Sequence, residues 1–182
     1  MKTLELSELT LAAGNHKTRA EGVCLLEAVA WFANEPHSDH PQCTCPVLAQ
    51  YGRGLNDILP VDKRQRLVPM IPLCVGTAGD GHEVARAMLA VDWLIRTYTP
   101  AWLRLAKLDA DADALSALPP IDTEPDALAA TAAINTARLN AAAAWAAAGD
   151  AAWDALKETS DQLQLSAVDL VKRMAAIQGA QS

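Results

Sequence analysis

Two histidines and two cysteines fall within nine residues of the segment EPHSDHPQCTCP, residues 35–46. Together they could offer two nitrogens and two sulfurs to a tetrahedral zinc ion. The four candidate ligands are His37, His40, Cys43 and Cys45. Structural zinc sites usually draw ligands from two separated pairs, whereas SDHP is a typical turn sequence. We therefore predict a structured polar loop without a cofactor. A zinc site is the alternative, formed by the loop alone or by two loop residues with Glu27 or Cys24.

Glu27 is the only charged residue between Val23 and Phe32. A helix that is apolar on all sides is buried, and an ionised carboxylate inside it needs a partner. We expect a structural role for Glu27, and a functional carboxylate is the alternative. The expected partners are an arginine, such as Arg53, Arg96 or Arg104, or a histidine of the loop, His37 or His40.

Asp92 raises the same question in a second apolar helix. Arg96 follows four residues later and therefore lies on the same side of that helix. We predict that Asp92 and Arg96 form a structural ion pair.

Cys24 is the candidate nucleophile of a thiol hydrolase, because histidines such as His40 and the carboxylate of Asp39 are available to activate it. Thr18 and Glu21 have capping-box spacing, which would place Cys24 in the second helical turn. There the helix dipole helps a thiolate little, and the apolar surroundings raise the pKa of the thiol. Catalytic roles for Cys24, Glu27 and His40 are thus an alternative, and whether the protein is an enzyme stays open.

The elements that position these residues are predicted to be all-α, since the composition is rich in alanine and poor in aromatic residues. One helix should begin at Pro46, and another should begin at Thr99-Pro100. We predict a compact helical domain over 1–108, an acidic, proline-bearing connector over 109–127, and an alanine-rich helical, coiled-coil-like region over 128–182. A helix break is expected at Gly149-Asp150.

Large and small apolar residues recur at three-four spacing from Gly149 onward, which is typical of a seam between two helices. The large residues of this association seam are Leu156, Leu163, Leu170, Met174 and Ile177. The seam packs either on its own domain or on a second copy. Because the N-terminal helices already predict a core, we expect that deletion of residues 150–182 leaves that domain folded and lowers the oligomeric state.

The net charge of −7 and a pI near 5.0 disfavour binding to nucleic acids. No stretch has the roughly 20 apolar residues of a membrane span, and the first residues lack the apolar core of a signal peptide. We expect a cytoplasmic protein without membrane contact, in which all four cysteines are reduced thiols or metal ligands.

Three stretches, EAVAWFANEPHSDHP, GRGLNDILP and DWLIRTYTPAWLRLA, resemble an uncharacterised family of proteins from actinobacteria and their phages. Members of that family often end in tracts like AAWAAAGDAAWDAL. The resemblance covers most of the chain and implies a bacterial, cytoplasmic protein related to mobile elements. It implies no activity, cofactor or catalytic residue.

The leading functional hypothesis is a non-enzymatic interaction or scaffolding protein that associates with itself or with a protein partner through its C-terminal helices. One alternative is a metal- or cysteine-dependent hydrolase centred on Glu27 and the loop from His37 to Cys45. A second alternative is an acidic inhibitor or immunity-type protein that blocks a basic surface, suggested by the net charge.

Overall fold

The computed structural model describes residues 6–147 and 153–177, without the side chains of 143–156. All regular structure in this part is helical, so the predicted all-α class is confirmed. No helix within these ranges is both long and apolar enough to cross a membrane. The helices are α1 Leu25–Phe32, α2 Pro46–Ile58, α3 Val61–Arg64, α4 Ile71–Cys74, α5 Glu83–Trp93, α6 Thr99–Leu105, α7 Asp109–Ser116, α8 Glu124–Ala129, α9 Thr131–Ala147 and α10 Trp153–Ala176.

The chain divides into two compact units. Unit 1 comprises Met1–Arg86 with Ala167–Ser182, and unit 2 comprises Ala87–Ser166. This division differs from the predicted boundaries at residues 108 and 127. The reason is that the end of α10 belongs to unit 1, which the linear order of the sequence does not suggest.

Helix α1 begins later than predicted. Its N-cap is Cys24, whose sulfur accepts a hydrogen bond from the Glu27 amide, and the Glu27 carboxylate accepts one from the Cys24 amide. This is a capping box with a thiol in the usual place of a hydroxyl. The prediction of a helix start at Thr18 and Glu21 is therefore wrong, although the three-residue spacing is the same.

The centre of unit 1 is formed by α1, which is buried from Leu25 to Ala30. Helix α2 begins at Pro46 as predicted and contacts α1 where Gly52 lies, since a Cβ there would come within 3.1 Å of Leu25 Cδ2. The buried Asn56 accepts from the Leu25 amide at 3.0 Å and donates to the Ala12 carbonyl at 2.9 Å. The side-chain amide of Asn56 thus links the N-terminal arm, residues 6–22, to the start of α1.

Residues 6–22 of this arm contain no strand. Residues Leu6–Glu8 form one 3-10 turn, and the following residues are irregular. Leu11 is nevertheless buried, and the Ala12 amide donates to the Val23 carbonyl at 2.9 Å.

The predicted association seam is largely covered by the protein's own chain. Leu163, Leu170 and Met174 are buried, and Ile177 is half-buried. The side chain of Leu156 and the predicted break at Gly149-Asp150 lie outside the described residues. In unit 1, the last turns of α10 bury Leu170, Val171, Met174 and Ala175, so deletion of this segment removes part of that unit's core.

Unit 2 has its own apolar core, and the segment 109–127 contributes to it instead of forming a loose connector. Ala112 and Leu115 of α7 pack with Leu103 of α6 and Ala137 of α9. Ile121 is also buried. The acidic residues of this segment lie on its outer side. They dominate its composition, so the composition alone does not show that a few apolar residues of the segment are buried.

A π-helical turn, Leu94–Tyr98, joins α5 to α6 in unit 2. Helix α6 spans Thr99–Leu105 with Pro100 in its first turn, and the helical backbone is continuous from α5 through the π turn into α6. The predicted start at Thr99-Pro100 therefore marks a change of helix type and not a new helix. The Thr99 amide bonds to the Leu94 carbonyl, and the wider turn precedes a proline that has no N–H of its own to donate.

Candidate functional site

The carboxylate of Glu27 is the most enclosed acidic group among the predicted site residues, at 1% exposure. Its partners are not the expected arginines. Oε2 accepts from the Cys24 amide and from Nδ1 of His16, both at 2.8 Å, while Oε1 accepts from the His16 amide. His16 was missed in the sequence because it lies eleven residues away in a loop, and only the fold brings it to α1.

The two histidines around Glu27 have defined roles. An ionised carboxylate only accepts hydrogen bonds, so His16 Nδ1 must carry the proton and donate it. His37 Nε2 donates to the His16 carbonyl at 2.9 Å and lies 3.8 Å from Glu27 Oε1. Gly22 completes the enclosure, because a Cβ there would come within 2.6 Å of the His16 ring.

Burial raises the pKa of Glu27, but the two amide donors and His16 outweigh it and hold the pKa below its ordinary value. The pKa of the neighbouring Cys24 thiol moves the other way, to about 12, because burial disfavours the thiolate. At neutral pH roughly one thiol in 10⁵ is then ionised. This arrangement stabilises a helix start and provides no activated nucleophile.

The remaining predicted ligands of the 37–45 loop point to separate partners. His40 Nδ1 is hydrogen-bonded to Asp39 at 2.7 Å on an exposed surface. Cys43 is half-buried, with its sulfur 3.8 Å from Thr44 Oγ1. Cys45 is buried at the N-cap of α2, where its amide donates to Thr77 Oγ1 at 2.9 Å.

The loop is shaped by hydrogen bonds from its backbone amides to the side chains of Glu35 and Ser38. Glu35 accepts from the amides of Gln42 and Cys43 at 2.7 and 2.8 Å, and Ser38 accepts from the His40 amide. All four cysteines are free. Across the described residues, no group of three or more His, Cys, Asp and Glu side chains is arranged to hold a metal ion.

Asp92 and Arg96 form an ion pair at 2.9 Å on the half-exposed side of unit 2. Asp92 also accepts from the Ile121 amide at 3.0 Å. The carboxylate thus fixes the residues that follow α7, which is a structural task.

A second buried polar centre in unit 1, Arg86, was missed in the sequence analysis. Its side chain is completely buried and binds both carboxylate oxygens of Asp80. It also donates to the carbonyls of Thr77, Met174 and Ile177. Met174 lies in the last turn of α10 and Ile177 directly follows it, where free carbonyls carry partial negative charge. Arg86 therefore caps a helix that begins in another part of the sequence.

Among the described residues, α8 and α9 carry an exposed apolar face. Leu128 and Leu139 are 67% and 66% exposed, and Ala132 and Ala142 are exposed at the same helical spacing. We name these four residues the leucine face. On the opposite side of α9, Ala137 is buried with Ala133, Ile134 and Ala141 around it. The spacing of residues 128, 132, 139 and 142 is visible in the sequence. It was missed because the apolar residues of α10 form a longer and more regular series.

The leucine face lies in the acidic unit. Unit 2 has five Lys and Arg against eleven Asp and Glu, a net charge of −6, whereas unit 1 has ten against eleven, a net charge of −1. Glu124 is one turn before Leu128, and Asp111 is held at 2.9 and 3.0 Å by Asn140, the neighbour of Leu139. Arg138 is the single basic residue of α9.

Comparison with protein-family models, with curated proteins and with solved structures gives no match to this chain. The resemblance to an actinobacterial and phage family therefore stays a prediction.

Proposed function

We propose that the protein is a non-enzymatic helical interaction protein, and that it binds a protein partner through the leucine face of its C-terminal half. The observation that carries this proposal is the exposure of Leu128 on α8 and of Leu139 on α9, the helix whose opposite side packs into the core of unit 2. Leucines at helical spacing are how helices recognise apolar grooves and other helices.

The size of the face fits a moderate interaction. Burying one leucine side chain contributes about 1.5–3 kcal/mol, so two of them contribute enough to select a partner but not to hold it permanently. The two leucines are eleven residues apart, and Ala130 separates the helices that carry them. An uninterrupted helix of eleven residues would span roughly 16 Å. A partner segment of three to four helical turns would span this distance.

The chemistry around Glu27 supports a non-enzymatic role. Its oxygens are occupied by two backbone amides and His16, and the pKa of the neighbouring thiol is about 12. The predicted ligand residues of the loop each have another hydrogen-bond partner or a buried structural position. A hydrolase centred on these groups would need an activated thiol or a free carboxylate.

The proposal is tested by placing a photo-crosslinking amino acid at position 139 and, as a matched control, at position 84. Val84 is 71% exposed on α5 and lies outside the leucine face. In the organism that encodes the chain, we expect position 139 to yield one dominant adduct, identified by mass spectrometry, and position 84 to yield none. The same weak background from both positions would contradict the proposal.

A further inference from the structure

The charge around the leucine face indicates which partner it accepts. Two occupants are consistent with an exposed apolar helix face: a second copy of the chain or a different protein. The distinction rests on electrostatics, because the apolar contacts would be similar in both cases.

A second copy would bring two units of net charge −6 together. At physiological ionic strength, charges are screened over about 8 Å, so acidic side chains within one turn of the leucines still repel their counterparts. Glu124 lies one turn before Leu128, and Asp111 is held by Asn140, the residue next to Leu139. Self-association through this surface is therefore opposed by like charge.

We infer that the leucine face binds a basic amphipathic helix of a different protein. This inference rests on the proposed function and specifies its partner. The partner helix presents apolar side chains to Leu128 and Leu139 and lysine or arginine side chains to the flanking carboxylates. Such charge complementarity accelerates association and excludes wrong partners more than it adds affinity.

Arg138 gives the face an internal asymmetry. It is exposed beside Leu139, whereas the carboxylates lie before Leu128 and on α7. A partner helix with basic residues along both edges is therefore expected to tolerate one acidic residue at the position that meets Arg138.

The test uses the full chain and three synthetic peptides of about 14 residues, which corresponds to roughly 21 Å of helix. The first is amphipathic, with leucines on one face and lysines elsewhere. The second replaces each lysine by glutamate. The third keeps the composition of the first but disperses the leucines around the helix, so that charge is retained and the apolar face is lost.

Binding is measured by fluorescence anisotropy of labelled peptide. We expect the first peptide to bind with a dissociation constant on the order of 10 µM and the other two to bind at least about tenfold more weakly. Leu128→Gln with Leu139→Gln should weaken the first peptide by about tenfold or more without changing net charge, and Val84→Gln should leave it unchanged. Circular dichroism verifies that each variant is folded.

Equal binding of the first and second peptides, or of the first and third, would overturn the inference. So would binding that is insensitive to the double leucine variant. A homodimer, detected by light scattering and abolished by the same two substitutions, would overturn it while leaving the proposed function intact. If no peptide binds and the chain is monomeric, the inference fails, and the crosslinking from position 139 decides the proposed function separately.

Discussion

Unit 1 and unit 2 are both helical, but they are stabilised in different ways. Three charged side chains are buried in the described part of unit 1: Glu27, Arg64 and Arg86. Glu27 and Arg86 bind segments of the chain outside their own helices. Unit 2 packs alanine and leucine side chains around Leu103 and Leu115, and its ion pairs lie at half-exposed or exposed positions. The two units also differ in net charge, −1 against −6.

This difference has a physical basis. A buried charge costs several kcal/mol to desolvate, so it is retained where it fixes segments that are distant in the sequence. Glu27 and Arg86 do this for the loop at His16 and for the end of α10. Consecutive helices such as α6 and α7 are joined by apolar contacts and by an exposed ion pair between Arg104 and Asp113. Their outer sides stay available for charge and for binding.

The difference between the two units is tested most strongly by the substitution Arg86→Met in unit 1, with Arg96→Met as the matched control in unit 2. We expect the first substitution to reduce the free energy of unfolding by about 3–5 kcal/mol, because it leaves Asp80 and the end of α10 without their buried partner. The control should cost less than about 1 kcal/mol, because its ion pair is half-exposed. Denaturant unfolding gives both values, and equal losses would show that the two units do not differ in this way.

Glu27 provides the next largest effect. Glu27→Ala should destabilise the protein by about 3 kcal/mol, since the amides of His16 and Cys24 and the His16 ring lose their acceptor. Glu27→Gln keeps one acceptor oxygen and should cost less. Thermal unfolding of the two variants at matched pH measures the difference, and a wild-type midpoint for Glu27→Ala would contradict the enclosure of this carboxylate.

Acid should affect unit 1 before unit 2. The hydrogen bond and charge of Arg86 hold the pKa of Asp80 at about 2, below its ordinary value of 3.8, and the pKa of Glu27 is also lowered. A carboxyl group whose pKa is lower in the folded state than in the unfolded state stabilises the fold at pH values above its unfolded-state pKa. This stabilisation is lost as the pH falls through its folded-state pKa. The loss should lie between about pH 4 and pH 2 and be on the order of 1 kcal/mol for Asp80, because its edge reaches solvent.

Hydrogen exchange followed by mass spectrometry at pH 4 and at pH 2.5 separates the two units. Peptides from α1 and from the end of α10 should lose protection over this interval more than peptides from α7. The reverse order would show that unit 2 depends more on its carboxylates than its packing indicates.

The smallest effect is expected at the start of α8, the helix that carries Leu128. Thr123 caps α8 and exchanges hydrogen bonds with Asp126. Thr123→Ala should cost about 0.5–1 kcal/mol. Thr136→Ala is the control, because Thr136 only bonds back to the Ala132 carbonyl within α9 and should be nearly neutral. A larger loss for the control would place the sensitive point in α9 instead.

The parts of the fold that the sequence predicts correctly depend on local chemistry. The all-α class follows from composition, and the start of α2 follows from Pro46. The predicted start of α1 is wrong because Cys24 and Glu27 form the capping box, whereas Thr18 and Glu21 only share its spacing. A thiol is a weak acceptor and is rarely counted as a cap.

The parts that could not be predicted depend on contacts between distant residues. Arg86 meets carbonyls 88 and 91 residues later, and no periodicity within α5 indicates that. In the same way, Leu139 and Leu170 cannot be told apart in the sequence, since each belongs to a series of apolar residues at helical spacing. Leu139 is nevertheless exposed, and Leu170 is buried. Only the surrounding fold decides which series is core and which is surface.

The bond from Arg86 to the carbonyl of Ile177 also has a consequence for synthesis on the ribosome. Chains are made from the N-terminus, and domains usually fold in that order as they emerge. Here the segment that completes unit 1 is translated after all of unit 2, so the order is reversed. Arg86 cannot reach its two acceptors at the end of α10, and the core of unit 1 cannot be completed, until residue 177 has left the exit tunnel. The core of the region translated first is thus completed only after all of unit 2 has been made.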